Sequence, residues 1–166
     1  MKELRSFERQ LAEIDGLVAE GDGALALRVP ALSGWSVAQQ IDHTLMVVER
    51  SLARLLERPA PLARGLTLTG RVVLTLGWFP RGSARAPRGF EGREIPSAEL
   101  AARLAGVRAS LARLAAEPEL LARPEPVVPH PYFGGLDARR TLRNAVVHTE
   151  HHLAIVRDLR RAAARG

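Results

Sequence analysis

The chain has 166 residues, no cysteine, 46% apolar residues and a net charge of +6. That length suits one domain with a sizeable core spanning residues 1–166. The missing cysteines exclude disulfides, thiolate ligands and a cysteine nucleophile, which leaves His, Asp and Glu to hold any metal. No apolar run approaches the ~18 residues of a membrane span, and the opening Met1-Lys2-Glu3-Leu4-Arg5 is charged rather than signal-like. A soluble, cytoplasmic protein with no membrane partner is expected.

An isoelectric point near 11.2 invites a nucleic-acid partner. Yet almost all the positive charge is Arg, scattered through an Ala-, Leu- and Gly-rich chain of the kind a GC-rich bacterial genome encodes. Aromatics are only 4%, and no basic stripe alternates with them as single-strand binding would require. Composition therefore argues against nucleic acid.

In chain order, Leu4, Phe7, Leu11, Ile14 and Val18 step by three and four and predict an amphipathic first helix, broken at Gly21 and Gly23. Ser36 followed by Gln39 has the form of a capping box and opens a second helix with the seam Val37, Ile41, Thr44, Val48, Leu52 and Leu55. Trp35 stands just before it, and His43 falls on the edge of that seam. Residues 58–96 are irregular, carrying seven arginines against two glutamates. Within them Leu66–Phe79 predicts a short helix, with no partner strands foreseen elsewhere. Pro80–Gly92 reads as a surface loop, either a solvated crossover or a clamp for an anionic substrate. Ser97 is expected to cap a third long helix, with seam Leu100, Leu104, Val107, Leu111 and Leu114. Arg103 lies outside that seam.

The stretch Val127–Leu136 contains His130-Pro131-Tyr132-Phe133-Gly134, where two prolines and two glycines turn the chain and Tyr132 and Phe133 are available to roof a pocket. Asp137 can cap the last helix. On that helix Thr141, Ala145, His148, His152, Ile155 and Leu159 form one line, so two imidazoles sit one turn apart in an apolar seam. This is the spacing that presents two nitrogens to one divalent ion. His151 lies about 60° off the line, close enough to back or compete with a ligand, whereas Glu150 is about 200° from His148 and faces elsewhere. Two histidines do not make a site. An edge position such as His43, meeting the middle of another helix across a groove, can supply a third nitrogen. The competing reading is a set of buried, hydrogen-bonded neutral histidines.

Four helices of comparable length, each with one apolar face, predict an all-α four-helix bundle with a crossover connection and a short extra helix. The string Trp35-Ser36 with His43, then His-Pro-Tyr-Phe-Gly at 130–134, then His148-x-x-His151-His152-Leu153, resembles the DinB-like metalloenzyme superfamily. It looks most like a branch carrying His-Pro-x-Phe-Gly before a His-x-x-His-His-Leu helix. The resemblance implies a divalent metal, Zn, Ni or Fe, held by His43, His148 and His152. His151, His130, Tyr132 and Trp35 then stand behind or around the ligands. After Gly135-Leu136 that branch has an acidic residue followed by Trp, where this chain has Arg139-Arg140-Thr141-Leu142, so a shared substrate is not implied. Relatives using low-molecular-weight thiols suggest a metal-dependent transferase or hydrolase with a small-molecule substrate, such as a thiol, and with a homodimer as a candidate assembly. The alternative is a non-catalytic helical binding or stress-response protein whose histidines are buried or hold a structural metal. Asp42, His130, Tyr132 and His151 are the candidate general acids or bases.

Overall fold

The computed structural model describes residues 2–79 and 86–165. Positions 80–85 of the expected Pro80–Gly92 loop lie outside the described residues. Seven helices occur among the described residues: α1 (Lys2–Ala19), α2 (Asp22–Leu25), α3 (Val37–Leu56), α4 (Leu68–Leu76), α5 (Ser97–Ala115), α6 (Pro118–Ala122) and α7 (Ala138–Ala163). The fold is all-α, as the periodicities predict.

The seams named from the sequence are what the helices bury. Phe7, Leu11 and Ile14 of α1, Ile41, Val48 and Leu52 of α3, and Leu100, Leu104, Val107 and Leu114 of α5 are each no more than 2% exposed. Each such side chain contributes on the order of 1.5–3 kcal/mol of burial. The four long helices contact one another in the cyclic order α1–α7–α3–α5. Helices α1 and α3 are therefore diagonal, as are α5 and α7, and two of the three connections between consecutive long helices cross over. This order puts α3 beside α7, the two helices that carry the candidate ligands.

The helix ends are set by local chemistry. Ser36 accepts from Gln39 N while the Gln39 side chain accepts from Ser36 N, a complete capping box at the start of α3. Asp137 caps α7 by accepting from Arg140 N at 2.8 Å. The start of α5 differs from expectation. Its N-cap is Pro96, with no side-chain cap, and Ser97 N instead donates to Asp22 Oδ1 at 2.7 Å. A carboxylate from the distant α2 turn does the work assigned to the Ser97 hydroxyl.

A second departure is a two-stranded antiparallel hairpin where no strands were foreseen. Strand β1 (Val128–His130) pairs with β2 (Gly134–Leu136), and Leu66 bridges to Gly134. Such short strands carry no readable period. Gly134 sits at φ +76°, and a Cβ there would lie 2.5 Å from Gly65 O, so only glycine admits this approach of the two chains. The hairpin feeds directly into α7.

Candidate metal centre

His43, on α3, and His148 and His152, on α7, each offer one nitrogen, and these atoms all lie within 4.8 Å of one another. His43 lies at the edge of the α3 seam, yet it is only 5% exposed because that edge faces α7 rather than solvent. Its Nε2 is 3.1 Å from His148 Nε2. Two nitrogens bound to one ion at about 2.0–2.1 Å lie roughly 3 Å apart, so this spacing fits shared ligation.

The outer faces of two imidazoles are fixed. His43 Nδ1 is 2.5 Å from Phe90 O, and a carbonyl can only accept, so the proton is on Nδ1 and the Nε2 lone pair is free. His152 Nδ1 donates to Gln40 Oε1 at 2.6 Å, while Gln40 Nε2 donates to Ser33 Oγ at 3.0 Å, which orients the amide. Backing of this kind fixes the tautomer and aims the lone pair of a metal-binding histidine. His148 differs: its Nδ1 is buried with no partner among the described residues.

Burial also sets the protonation state. It holds the His148 and His152 imidazolium pKa well below the ordinary histidine value, with the neighbouring imidazoles adding to the effect. Burial likewise lowers that of His43, opposed by the Phe90 carbonyl and by Asp42. All three rings are thus neutral at pH 7, the form that ligates a metal.

The carbonyl on His43 belongs to a strap, residues 90–93, clamped along α3. Besides Phe90 O on His43, Gly92 O accepts from Gln39 Nε2 at 3.0 Å, and Arg93 N donates to Asp42 Oδ2 at 2.8 Å. Asp42 is fully buried and also pairs with the Arg93 and Arg103 guanidiniums, Arg103 reaching on to Glu49. Arg50 lies 4.1 Å over the Phe90 ring. One reading changes here. Asp42, a candidate acid or base, is an acceptor consumed by ion pairs, and Arg93, which directly follows the expected Pro80–Gly92 loop, is paired with it.

Aromatic rings close the surroundings. Trp35 stacks near His152 at 6.4 Å between centroids and tilts against His43 at 5.1 Å. Phe79, after α4, meets His148 edge-on at 6.0 Å and His151 at 5.8 Å, and stacks on Phe133 at 5.7 Å. His151 contacts His152 ring to edge. Tyr132, expected to roof the pocket, is 51% exposed, and Phe79 with Phe133 takes that place. His130 does not join the triad. Its Nδ1 accepts from Tyr132 N and Phe133 N, both at 3.2 Å, and its ring stacks 4.1 Å from Phe133, so it shapes the hairpin turn. Burial lowers its pKa to about 4. Gln40, Phe90 and Phe79 were missed by sequence reasoning. Only Gln40, one turn before His43, left a sequence trace.

Fold and site together define an all-α protein with three neutral, desolvated histidines gathered between two helices, a donor set suited to a divalent transition metal. The chain belongs to the DinB superfamily, whose family model matches residues 6–156. No curated protein and no solved structure matches it. No helix among the described residues is long and apolar enough to cross a membrane.

Proposed function

We propose that the protein is a metal-dependent enzyme of the DinB superfamily in which His43, His148 and His152 hold a divalent ion, Zn, Ni or Fe. The observation that carries this reading is the convergence of three ring nitrogens within 4.8 Å, two of them aimed by acceptors on the opposite ring nitrogen. An ion held there supplies Lewis acidity and lowers the pKa of a water or thiol bound beside it. The chain contributes the rest. Neutral imidazoles leave the ion's charge undiminished, which favours an anionic partner. Phe90 O and Gln40 Oε1 keep two lone pairs aimed inward, and Trp35, Phe79 and Phe133 limit water around the rings. With no cysteine in the chain, a reacting sulfur would come from a small-molecule thiol. Transferase chemistry with such a thiol is the leading form of the reading, and hydrolysis the other.

Metal analysis of tag-free protein tests the site: about one ion per chain is expected, lost in His148→Ala and in His152→Ala. Full stoichiometry in both variants overturns it. Titrating cobalt-substituted protein with low-molecular-weight thiols tests the chemistry, a sulfur-to-cobalt charge-transfer band being expected. Binding of small oxygen anions without any such band turns the reading to hydrolysis.

One observation favours a second reading, a non-catalytic protein with a structural metal. Asp42, the carboxylate adjacent to His43 in sequence, is held in ion pairs and offers no general base. Under that reading chelation removes helical circular dichroism, whereas a catalytic site on this apolar core leaves it intact.

A further inference from the structure

Helix α4 is fastened at both ends yet turns an apolar ridge to solvent. Thr67 caps its N-terminus by accepting from Gly70 N at 3.1 Å, and Thr67 N donates to Phe133 O at 2.8 Å. At the other end Arg143 Nε donates to Leu74 O at 3.0 Å. Gly70 and Leu74 are buried, Gly70 so close to Phe133 that an added Cβ would lie 2.8 Å from the Phe133 Cβ. Leu68, Val72 and Leu76 step by four and centre on the opposite side of the helix. They are 78%, 49% and 68% exposed. Trp78, just past the Gly77 C-cap, is 61% exposed, and Tyr132, whose carbonyl accepts from Thr67 Oγ1, is exposed by the N-terminal end. Contiguous apolar surface of this kind marks an interaction site.

The charge around the ridge says what it meets. Between Glu57 and Glu91 the sequence holds six arginines and no acidic residue, and one of them, Arg71, is exposed on α4 itself. Arg143, at the C-terminal end of α4, also walls a cleft of about 470 Å3 with Lys2, Arg139 and Arg140, against one acid, Glu3. A second copy of the chain is a poor occupant. Antiparallel pairing of two α4 helices about Val72 sets the two Arg71 side chains on one flank, and the helix has no carboxylate to separate them. The ridge is also one helix of nine residues, short of the roughly 800 Å2 per partner of a stable protein interface. An anionic lipid surface suits every feature: acyl chains receive a convex aliphatic ridge, Tyr and Trp settle at headgroup level, and phosphates meet arginines. A helix lying in the interface need not cross the bilayer, so the lack of a spanning helix, from which no membrane partner was expected, does not bear on this surface.

We propose that α4 is a peripheral docking face for membranes rich in anionic phospholipid. Leu68, Val72 and Leu76 enter the boundary between headgroups and acyl chains, Trp78 and Tyr132 flank them, and Arg71 pairs with lipid phosphate. The inference is independent of the metal-binding reading above.

The test sediments the full-length protein with vesicles of phosphatidylcholine alone or of an equimolar mixture with phosphatidylserine. Binding to the mixed vesicles only is expected, weakened by high salt, with a blue shift of tryptophan emission that Trp78→Phe removes. The double variant Leu68→Gln/Leu76→Gln is expected to partition at least about tenfold less, and Arg71→Gln about fivefold less, both melting as wild type because the three positions are exposed. No binding to either vesicle, equal binding to both, or undiminished binding by the double variant overturns the proposal. A wild type that light scattering shows to be a dimer, made monomeric by the double variant, also overturns it, since the ridge is then an interface between copies. If the double variant fails to fold, Trp78→Phe decides: an emission shift on mixed vesicles that survives this substitution places the contact elsewhere and overturns the proposal.

Discussion

Gly92→Ala should weaken metal binding without touching a ligand. A Cβ on residue 92 would lie 2.7 Å from the carbonyl carbon of Gln39 and 3.0 Å from its Cα, and nearer still to its oxygen. Ordinary carbon contacts are about 3.5–4.0 Å, and the obstacle is helix backbone. The strap must therefore retreat, by about 1 Å. Phe90 O, two residues away, is 2.5 Å from His43 Nδ1, and a comparable retreat takes it out of hydrogen-bond range, about 3.2 Å for N–H to O. Loss of a backing bond of this kind typically lowers metal affinity about 10–100-fold, or about 1.4–2.7 kcal/mol. The fold should lose about 1–3 kcal/mol from overpacking. Zinc competition titrations set beside melts of the metal-free protein separate the two effects. A lowered melting temperature with unchanged zinc affinity would refute the reasoning, because the strap would then be a structural tie that does not aim His43.

Three further outcomes follow from the same geometry. Metal-free protein should lose stability as pH falls below about 6.5: the unfolded chain protonates its histidines there, while His130, buried, stays neutral to about 4 and the triad is also lowered. Each histidine that must charge contributes up to about 1.4 kcal/mol per pH unit, and denaturant titrations showing equal stability at pH 7 and 5 would contradict this. Asp42→Ala leaves the largely buried Arg103 with Glu49 alone and should cost about 3 kcal/mol, the low end for breaking a buried pair, measured by urea unfolding. Leu104→Ala, at a position 1% exposed, should cost about 2–5 kcal/mol and lower the melting temperature by roughly 2–4 °C for each of them.

Much of this architecture can be read from residue spacing, because the helices bury the faces that their three-four periods mark. Ser36 with Gln39 and Asp137 before α7 also act at their helix ends as local chemistry predicts. His148 and His152 are legible for the same reason, since one turn of helix fixes their separation. His43 is less so: its partner is 105 residues away in sequence, and the family resemblance, not periodicity, singles it out. Phe90 acts through its carbonyl, a group every residue has, so nothing in the residue type announces it. Asp42 looks like a free carboxylate until the fold brings Arg93 and Arg103 to it. The hairpin depends on Gly134 letting two backbones touch, a tertiary fact with too short a strand to show a period.

The cyclic order of the long helices also bears on how the protein is made. Synthesis delivers α1, α3 and α5 before α7, yet α7 separates α1 from α3 on one side of the ring, and Gln10 of α1 bonds to Val146 O across 136 residues of sequence. While the last helix is still inside the ribosome, the apolar faces of α1 and α3 that it will cover stay open to water, to chaperones and to other nascent chains. The donor cluster is likewise incomplete until His152 emerges. No ion bridging all three histidines can therefore assist folding before α7 is released, and a chain stalled or cleaved before α7 should be recovered as an aggregation-prone three-helix fragment that takes up no ion at this site.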